Sequence, residues 1–402
     1  MSLVHKHRDR LCQLHKQINA PFFYYDLDHL QTHIQSLKPW PAKLFYAVKA
    51  NPLSSIIQTL NNNDMGFDVA SIGELEQVLA QGVDADKIIH TGPAKSRQQL
   101  TYFLDKGVTT FVVESHTQFH ILSALSQEKQ ISVKVLLRVQ LKWSDKRQNV
   151  LGGGQSMTPF GLPLEDWYAV LNTRQANTCF EIIGFHCFQW GNIIDSGELK
   201  TIWQSISRQL IEFSQAIGFI PQVIDLGGGL GVPYEGQTHS LDRQEIAKIL
   251  ETLQKDYPTT EFWLELGRYA VADSGLYTCE ITDRKSVYDI DMLIVDGGVH
   301  HLLRPVLTDQ AFPTTLLRDS NKRQKPFQVH GSLCTSLDRL GWFSLPEDII
   351  IGDLITSTQT GAYGFTESMP FFLCHRLPAE VIFRHNNTHI IRQSQGAETW
   401  LC

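Results

Sequence analysis

The chain has 402 residues, 42% of them hydrophobic and 19% charged, with a formal net charge of −7. That composition describes a globular protein of about two to three domains, and a negative balance without any Lys/Arg block excludes a nucleic-acid surface. No apolar run reaches the roughly 18 residues of a membrane span, and the polar, basic N-terminus carries no secretory signal, so a cytoplasmic location is expected. From about residue 22 short apolar strands alternate with amphipathic helices. "LFYAVKA" precedes "LSSIIQTLNNN", "GFDVA" precedes "IGELEQVLAQG", "KIIHTG" precedes "SRQQLTYFLDKG", and "TTFVVES" precedes "HTQFHILSALSQ". "SVKVLLRV", a "DWYAVLNTRQ" helix, "FEIIGFHCF", a long helix over 197–217, "QVIDLGGG", a "RQEIAKILETLQKDY" helix and "EFWLELGR" complete the series. Eight or so β/α repeats predict a closed parallel barrel rather than an open sheet. Near Tyr269 the rhythm changes to alternating strands with few helices, which predicts a separate β-domain. The seven cysteines, at 12, 179, 187, 279, 334, 374 and 402, form no CxxC pair; reduced thiols and no metal site are expected.

In such a barrel catalytic groups sit at the carboxyl ends of the strands, where Lys49, His186, Gly227 to Gly229, and Glu265 to Arg268 all fall. Lys49, at the end of a buried strand, either snorkels to solvent or serves as a Schiff-base lysine whose pKa burial lowers. Gly227, Gly228 and Gly229 let backbone N–H groups approach an anion, or make a tight turn only. They lack the GxGxxG spacing of a dinucleotide site. Glu265 and Arg268 form an internal ion pair, or place a carboxylate beside a pyridine-type ring nitrogen. His186 is a packed core histidine, or an imidazole stacked on a flat ring. Cys334 and Tyr363 read alone as packing and a turn.

Taken in order, "FYAVKAN", "GFDVASIGEL", "TGPAKS", "GFHCF", "DLGGGLG", "ELGRYAVADSG", "VDGGVHHLLRPVL", "LCTSLD" and "GAYGF" resemble the fold-type III pyridoxal-phosphate decarboxylases of ornithine, diaminopimelate and arginine. The resemblance spans about residues 20 to 385. It implies an alanine racemase-like fold: a TIM-type (β/α)8 barrel over 22–268 that binds pyridoxal 5'-phosphate, with a β-sandwich or β-barrel-like domain from 1–21 plus 269–402. It implies that Lys49 holds the cofactor, that Glu265 faces its ring nitrogen, and that His186 stacks on the ring. Gly227, Gly228, Gly229, Gly267 and Arg268 match the phosphate cradle, and Tyr363 touches cofactor and substrate. Cys334 matches the cysteine that reprotonates Cα from a partner subunit, so a homodimer with shared active sites is implied.

Three departures bear on substrate. Leu266 stands where diaminopimelate decarboxylases have proline, Thr335 where the family has an acid that reads a distal ammonium, and Thr308 where it has a tyrosine. Arg268 and Arg304 remain and match arginines that hold a distal carboxylate; a guanidinium fork suits an anion. An amino-acid head with an acidic tail is therefore expected, with Thr335 and Tyr363 beside Arg268 and Arg304 as substrate residues. His300, His301 and Trp190 are further lining candidates. "ELGRY" with "AYGFTESMPFFLCHRLPAEV" is similar to the specialised-metabolism branch, including siderophore enzymes acting on citryl–amino-acid conjugates such as citryl-serine. Plain diaminopimelate decarboxylation, decarboxylation of a carrier-protein-tethered glutamyl group, a non-catalytic inhibitor-binding relative and a cofactor-carrying single-barrel protein are the alternatives.

Overall fold

The computed structural model describes residues 2–143, 158–172 and 177–401, and the chain divides into two compact units. Cys402 and residues 173–175 of the expected "DWYAVLNTRQ" helix lie outside the described residues. No helix among those described is long and apolar enough to cross a membrane.

One unit comprises residues 34–231 and 239–267. After strand β1 (Phe22–Asp26), which belongs to the other unit, eight parallel strands close into a barrel: β2 (Lys43–Ala47), β3 (Gly66–Val69), β4 (Ile88–His90), β5 (Thr110–Val113), β6 (Val133–Arg138), β7 (Phe180–His186), β8 (Val223–Asp225) and β9 (Glu261–Leu266). Closure is made by β2 against β9, with Phe45 opposite Glu265. Barrel helices begin where a short oxygen-bearing side chain accepts a backbone N–H in the first turn: Ser71, Ser96, Ser115, Asp195 and Asp242 all do this. The lumen is a packed core, not a pore. Phe45, Ile89, Val112, Leu136, Ile183, Val223 and Trp263, one each from seven strands, fill a buried apolar layer. Polar groups are thereby left to the carboxyl ends of the strands.

The other unit comprises residues 1–33, 232–238 and 268–402. Its strands are β1, β10 (Gly275–Val287), β11 (Ile290–Val295), β12 (Thr314–Leu316), β13 (Gln324–His330), β14 (Arg339–Pro346), β15 (Leu354–Ser357), β16 (Ala379–Arg384) and β17 (Asn387–Arg392). They form one nine-stranded sheet in the order β14-β13-β11-β10-β1-β16-β17, with β15 bridging β10 and β12. Strand β1 pairs antiparallel with β10 and parallel with β16, so Tyr24 lies opposite both Leu276 and Val381. This pairing carries the segment around residues 22–33 into the sheet unit, beyond the boundary at 22 expected from sequence. The alternation of "FFYYD" with a following helix looks like a barrel repeat, and only its distant strand partners reveal otherwise. The helix Leu3–Ile18 presents Val4, Leu11 and Leu14 to Phe22, Tyr24, Leu276, Val381 and Phe383, an i, i+7, i+10 stripe that answers its polar opposite face.

Candidate active site

Every barrel strand contributes a charged or polar group at or just beyond its carboxyl end. Asp68 lies on β3, His90 on β4 with Lys95 following, Glu114 after β5, Arg138 on β6, His186 on β7, Asp225 on β8 and Glu265 on β9. Lys49 follows β2, but not as the sequence suggested. The strand stops at Ala47, Lys49 sits in the 3-10 turn Val48–Ala50, and its side chain is exposed. Val48 and Ala50 take the buried positions of that turn, and the charge of Lys49 acts on Glu265 and Asp68.

His186, Asp225 and Glu265 offer side-chain atoms that lie within 4.8 Å of one another. His186 Nε2 is 3.3 Å from Glu265 Oε1, and the imidazole is 1% exposed. Both ring nitrogens of His186, Glu265 Oε1 and Asp225 Oδ2 are buried and make no hydrogen bond. Buried polar atoms left open in this way cost stability unless a bound group satisfies them. Burial pushes Glu265 up, yet the facing His186, with Lys49 and Arg138, holds its carboxyl below the usual carboxylate range. Burial and the charge of Glu265 push Asp225 far above that range. Asp68, buried beside the same charge, is pushed up to about 8. The set is matched to holding protons in defined places.

The glycine run is positioned by close backbone approach. Gly227 and Gly229 have φ of 63° and 91°. A Cβ at Gly228 would stand 2.3 Å from the Glu265 carbonyl oxygen, and one at Gly229 would stand 2.8 Å from that of Trp190. Glu265 N–H donates to Gly227 O at 2.7 Å, and Gly227 N–H donates to Asp225 Oδ1 at 2.8 Å. Only glycine fits this wedge; the Gly227 amide is taken by Asp225, which leaves those of Gly228 and Gly229 to face an anion.

A further set was missed in the sequence. Arg138 donates to Glu114, Thr91 donates to Asp68, and Lys95 donates to the Gly92 carbonyl. Burial pulls Lys95 down to about 7, and burial with the Lys95 charge pulls His90 down to about 3. The signal was present as charged residues ending "GFDV", "IIH", "TFVVE" and "KVLLR", the same strand-end rule that drew attention to Lys49 and Glu265.

The sheet unit holds its own cluster. Arg268 donates to Tyr234 Oη and lies 4.6 Å from the Tyr363 ring centroid. Arg304, 3% exposed, lies 5.4 Å from the Tyr234 and Tyr363 rings and pairs with Glu367 Oε2 at 3.2 Å. Tyr363 has φ of 53° in the turn Gly361–Gly364, where a Cβ at Gly361 would stand 2.0 Å from Val271 O. Packing thus holds Tyr363 in the left-handed region, a conformation that is costly for a bulky side chain. Cys334 is exposed and Thr335 half-buried, on a loop anchored by Asp338, whose carboxylate accepts the Val299 and Leu333 N–H groups at 2.8 and 2.6 Å. His301 is fixed between Tyr277 Oη at 2.8 Å and the Arg376 carbonyl at 3.0 Å, a packed role rather than a lining one. Gly267 closes the barrel unit's last segment.

Residues 27–272 match the family model described as pyridoxal-dependent decarboxylase, pyridoxal binding domain. The chain is 28% identical over 407 residues to the L-glutamyl-[BtrI acyl-carrier protein] decarboxylase of Niallia circulans, covering 96% of this chain and 94% of that one. It is 29% identical over 371 residues to the 2-[(L-alanin-3-ylcarbamoyl)methyl]-2-hydroxybutanedioate decarboxylase of Staphylococcus aureus, covering 89% and 92%. Among solved structures, diaminopimelate decarboxylase from Helicobacter pylori complexed with L-lysine superposes with a TM-score of 0.86 at 23% identity over 97% of both chains.

Proposed function

Since the chain belongs to the family of pyridoxal-dependent decarboxylases, we propose that it removes the α-carboxylate of an amino acid whose side chain is conjugated to an acidic tail, as in siderophore assembly on a citryl-type conjugate. The cofactor is pyridoxal 5'-phosphate, and the barrel residues fit it. Buried His186 and Glu265 carry polar atoms without partners, and the glycine wedge admits no Cβ. When bound, the cofactor supplies a sink for the electrons left behind as carbon dioxide departs.

The chain's own groups do the rest. Lys49, exposed at the barrel mouth, is assigned the covalent hold on the cofactor and the return of the product amine. Glu265, whose carboxyl the facing His186 holds below the usual carboxylate range, would face the cofactor's ring nitrogen, with Asp225, pushed above that range by burial and the Glu265 charge, beside it. His186 offers a flat face; burial lowers its pKa, and the charge of Glu265 opposes that shift. Amides of Gly228 and Gly229 would take the phosphate, the Gly227 amide being held by Asp225. Cys334, exposed on its Asp338-anchored loop, is assigned the proton delivered to Cα, in a homodimer. In the sheet unit Arg268, Arg304 and Tyr363 are assigned the tail.

The observation that carries this reading is the buried His186–Glu265 contact with its unsatisfied atoms beside the glycine wedge. Thr335 offers no carboxylate to a distal ammonium, and a buried unpaired ammonium would cost several kcal/mol, which disfavours diaminopimelate. The test is borohydride reduction followed by peptide mapping, together with carbon dioxide release from citryl conjugates of serine and diaminopropionate, diaminopimelate and a carrier-tethered glutamyl group. Label on Lys49 and turnover of a citryl conjugate are expected. Label elsewhere, or brisk turnover of diaminopimelate alone, refutes the reading.

A further inference from the structure

Arg304 is 3% exposed, and its Nε is buried without a hydrogen-bond partner. One face of its guanidinium is taken by Glu367, a residue of this chain, at 3.2 Å, on the short turn Phe365–Glu367 that directly follows Tyr363 and Gly364. Arg268, by contrast, is held by a neutral hydroxyl, that of Tyr234. The two arginines are thus unequal: Glu367 is paired directly with Arg304, and its charge reaches Arg268 without a direct contact. Glu367 itself is one-quarter exposed, so its second oxygen has access to a ligand in the same cluster. A carboxylate tail reaching Arg304 meets repulsion from Glu367, while a hydroxyl or amide N–H finds an ionised acceptor there. Hydrogen bonds to a charged acceptor are about twice as strong as neutral ones.

We propose that Glu367 is a specificity-determining residue that makes the tail site select a carboxylate accompanied by a hydrogen-bond donor: the carboxylate lies on Arg268 and the donor, a hydroxyl or amide N–H, faces Glu367 on Arg304. This rests on the acidic-tail reading above and narrows it, since an acidic tail without a donor is rejected.

Citrate and tricarballylate form a matched pair of probes, because they share three carboxylates and differ only in one hydroxyl. Their binding to the cofactor-loaded chain, measured by calorimetry, is expected to favour citrate about tenfold, the usual effect of one hydrogen bond to a charged acceptor. In Glu367→Ala the preference falls to within about twofold and tricarballylate binds more tightly, because Arg304 is released. Glu367→Gln, which keeps volume and loses charge, lies between the two. Equal binding of both acids by the wild-type chain, binding of neither, or an unchanged preference in Glu367→Ala overturns the proposal. Carbon dioxide release from the conjugate panel is scored separately, so failure of the decarboxylation reading is distinguishable from failure of this one.

Discussion

Asp68 provides a test of the barrel's electrostatics that does not depend on substrate. Its carboxyl is fully buried, accepts a hydrogen bond from Thr91, and is pushed up to about 8 by burial and the charge of Glu265. In the unfolded chain it titrates near 3.8, so the folded state binds a proton that the unfolded state has released. Stability from such a group is fully present below pH 4 and is lost as pH rises toward 8. At pH 7 the difference is about 3 pH units, an upper bound of about 4 kcal/mol at 1.36 kcal/mol per unit. Asp68→Asn keeps the volume and the acceptor for Thr91 but has nothing to titrate. We therefore expect the variant, stripped of cofactor, to match the wild type at pH 4.5 and to exceed it by about 2–4 kcal/mol at pH 7.5, in urea unfolding followed by tryptophan fluorescence. Parallel pH profiles for the two proteins would refute the protonated Asp68 and, with it, the proton arrangement around Glu265.

Two further outcomes follow from geometry. Gly228→Ala places a Cβ 2.3 Å from the Glu265 carbonyl oxygen, so the wedge must open by about 1 Å; we expect cofactor affinity, read by fluorescence titration, to fall at least about tenfold, whereas Gly82→Ala, with φ of 75° and no neighbour within 4 Å, costs only about 1 kcal/mol and leaves cofactor binding unchanged. Asp26 is buried against His7 and Lys6, each at 2.7 Å, and accepts the His29 N–H; burial raises its pKa, but these partners outweigh burial and hold it well below the usual range. Its stabilisation is present above about pH 4 and lost as pH falls below that value, so Asp26→Asn should lose about 2–4 kcal/mol at pH 7 and show a flatter acid limb in thermal unfolding.

Much of the barrel is legible because each repeat carries its own signal: an apolar run, a turn, and a helix opened by serine or aspartate. His186, Glu265 and Gly227 to Gly229 are legible for the same reason, each sitting where a strand ends. What sequence does not carry is which strands pair at long range. "FFYYD" reads as a barrel strand, yet its partners are Gly275–Thr278 and Ala379–Phe383. Nor does it reveal the solvent exposure of Lys49, which depends on a single turn of 3-10 helix beyond Ala47, or the Arg304–Glu367 pair, whose members are 63 residues apart. Lys95 sits among ordinary polar loop residues, whereas Glu114 and Arg138 end apolar strands, and only barrel closure makes the three neighbours in charge.

The central place of β1 also shapes how the chain is made. Its parallel partner at Ala379–Phe383 emerges from the ribosome about 350 residues later, a wait of roughly twenty seconds to just over a minute at elongation rates of about 5–20 residues per second. Throughout that interval one hydrogen-bonding edge of an aromatic segment stands open, the kind of edge that recruits strands from other chains. Nascent polypeptides stalled before residue 379 should therefore engage chaperones through residues 22–26, while those stalled after residue 392 should not.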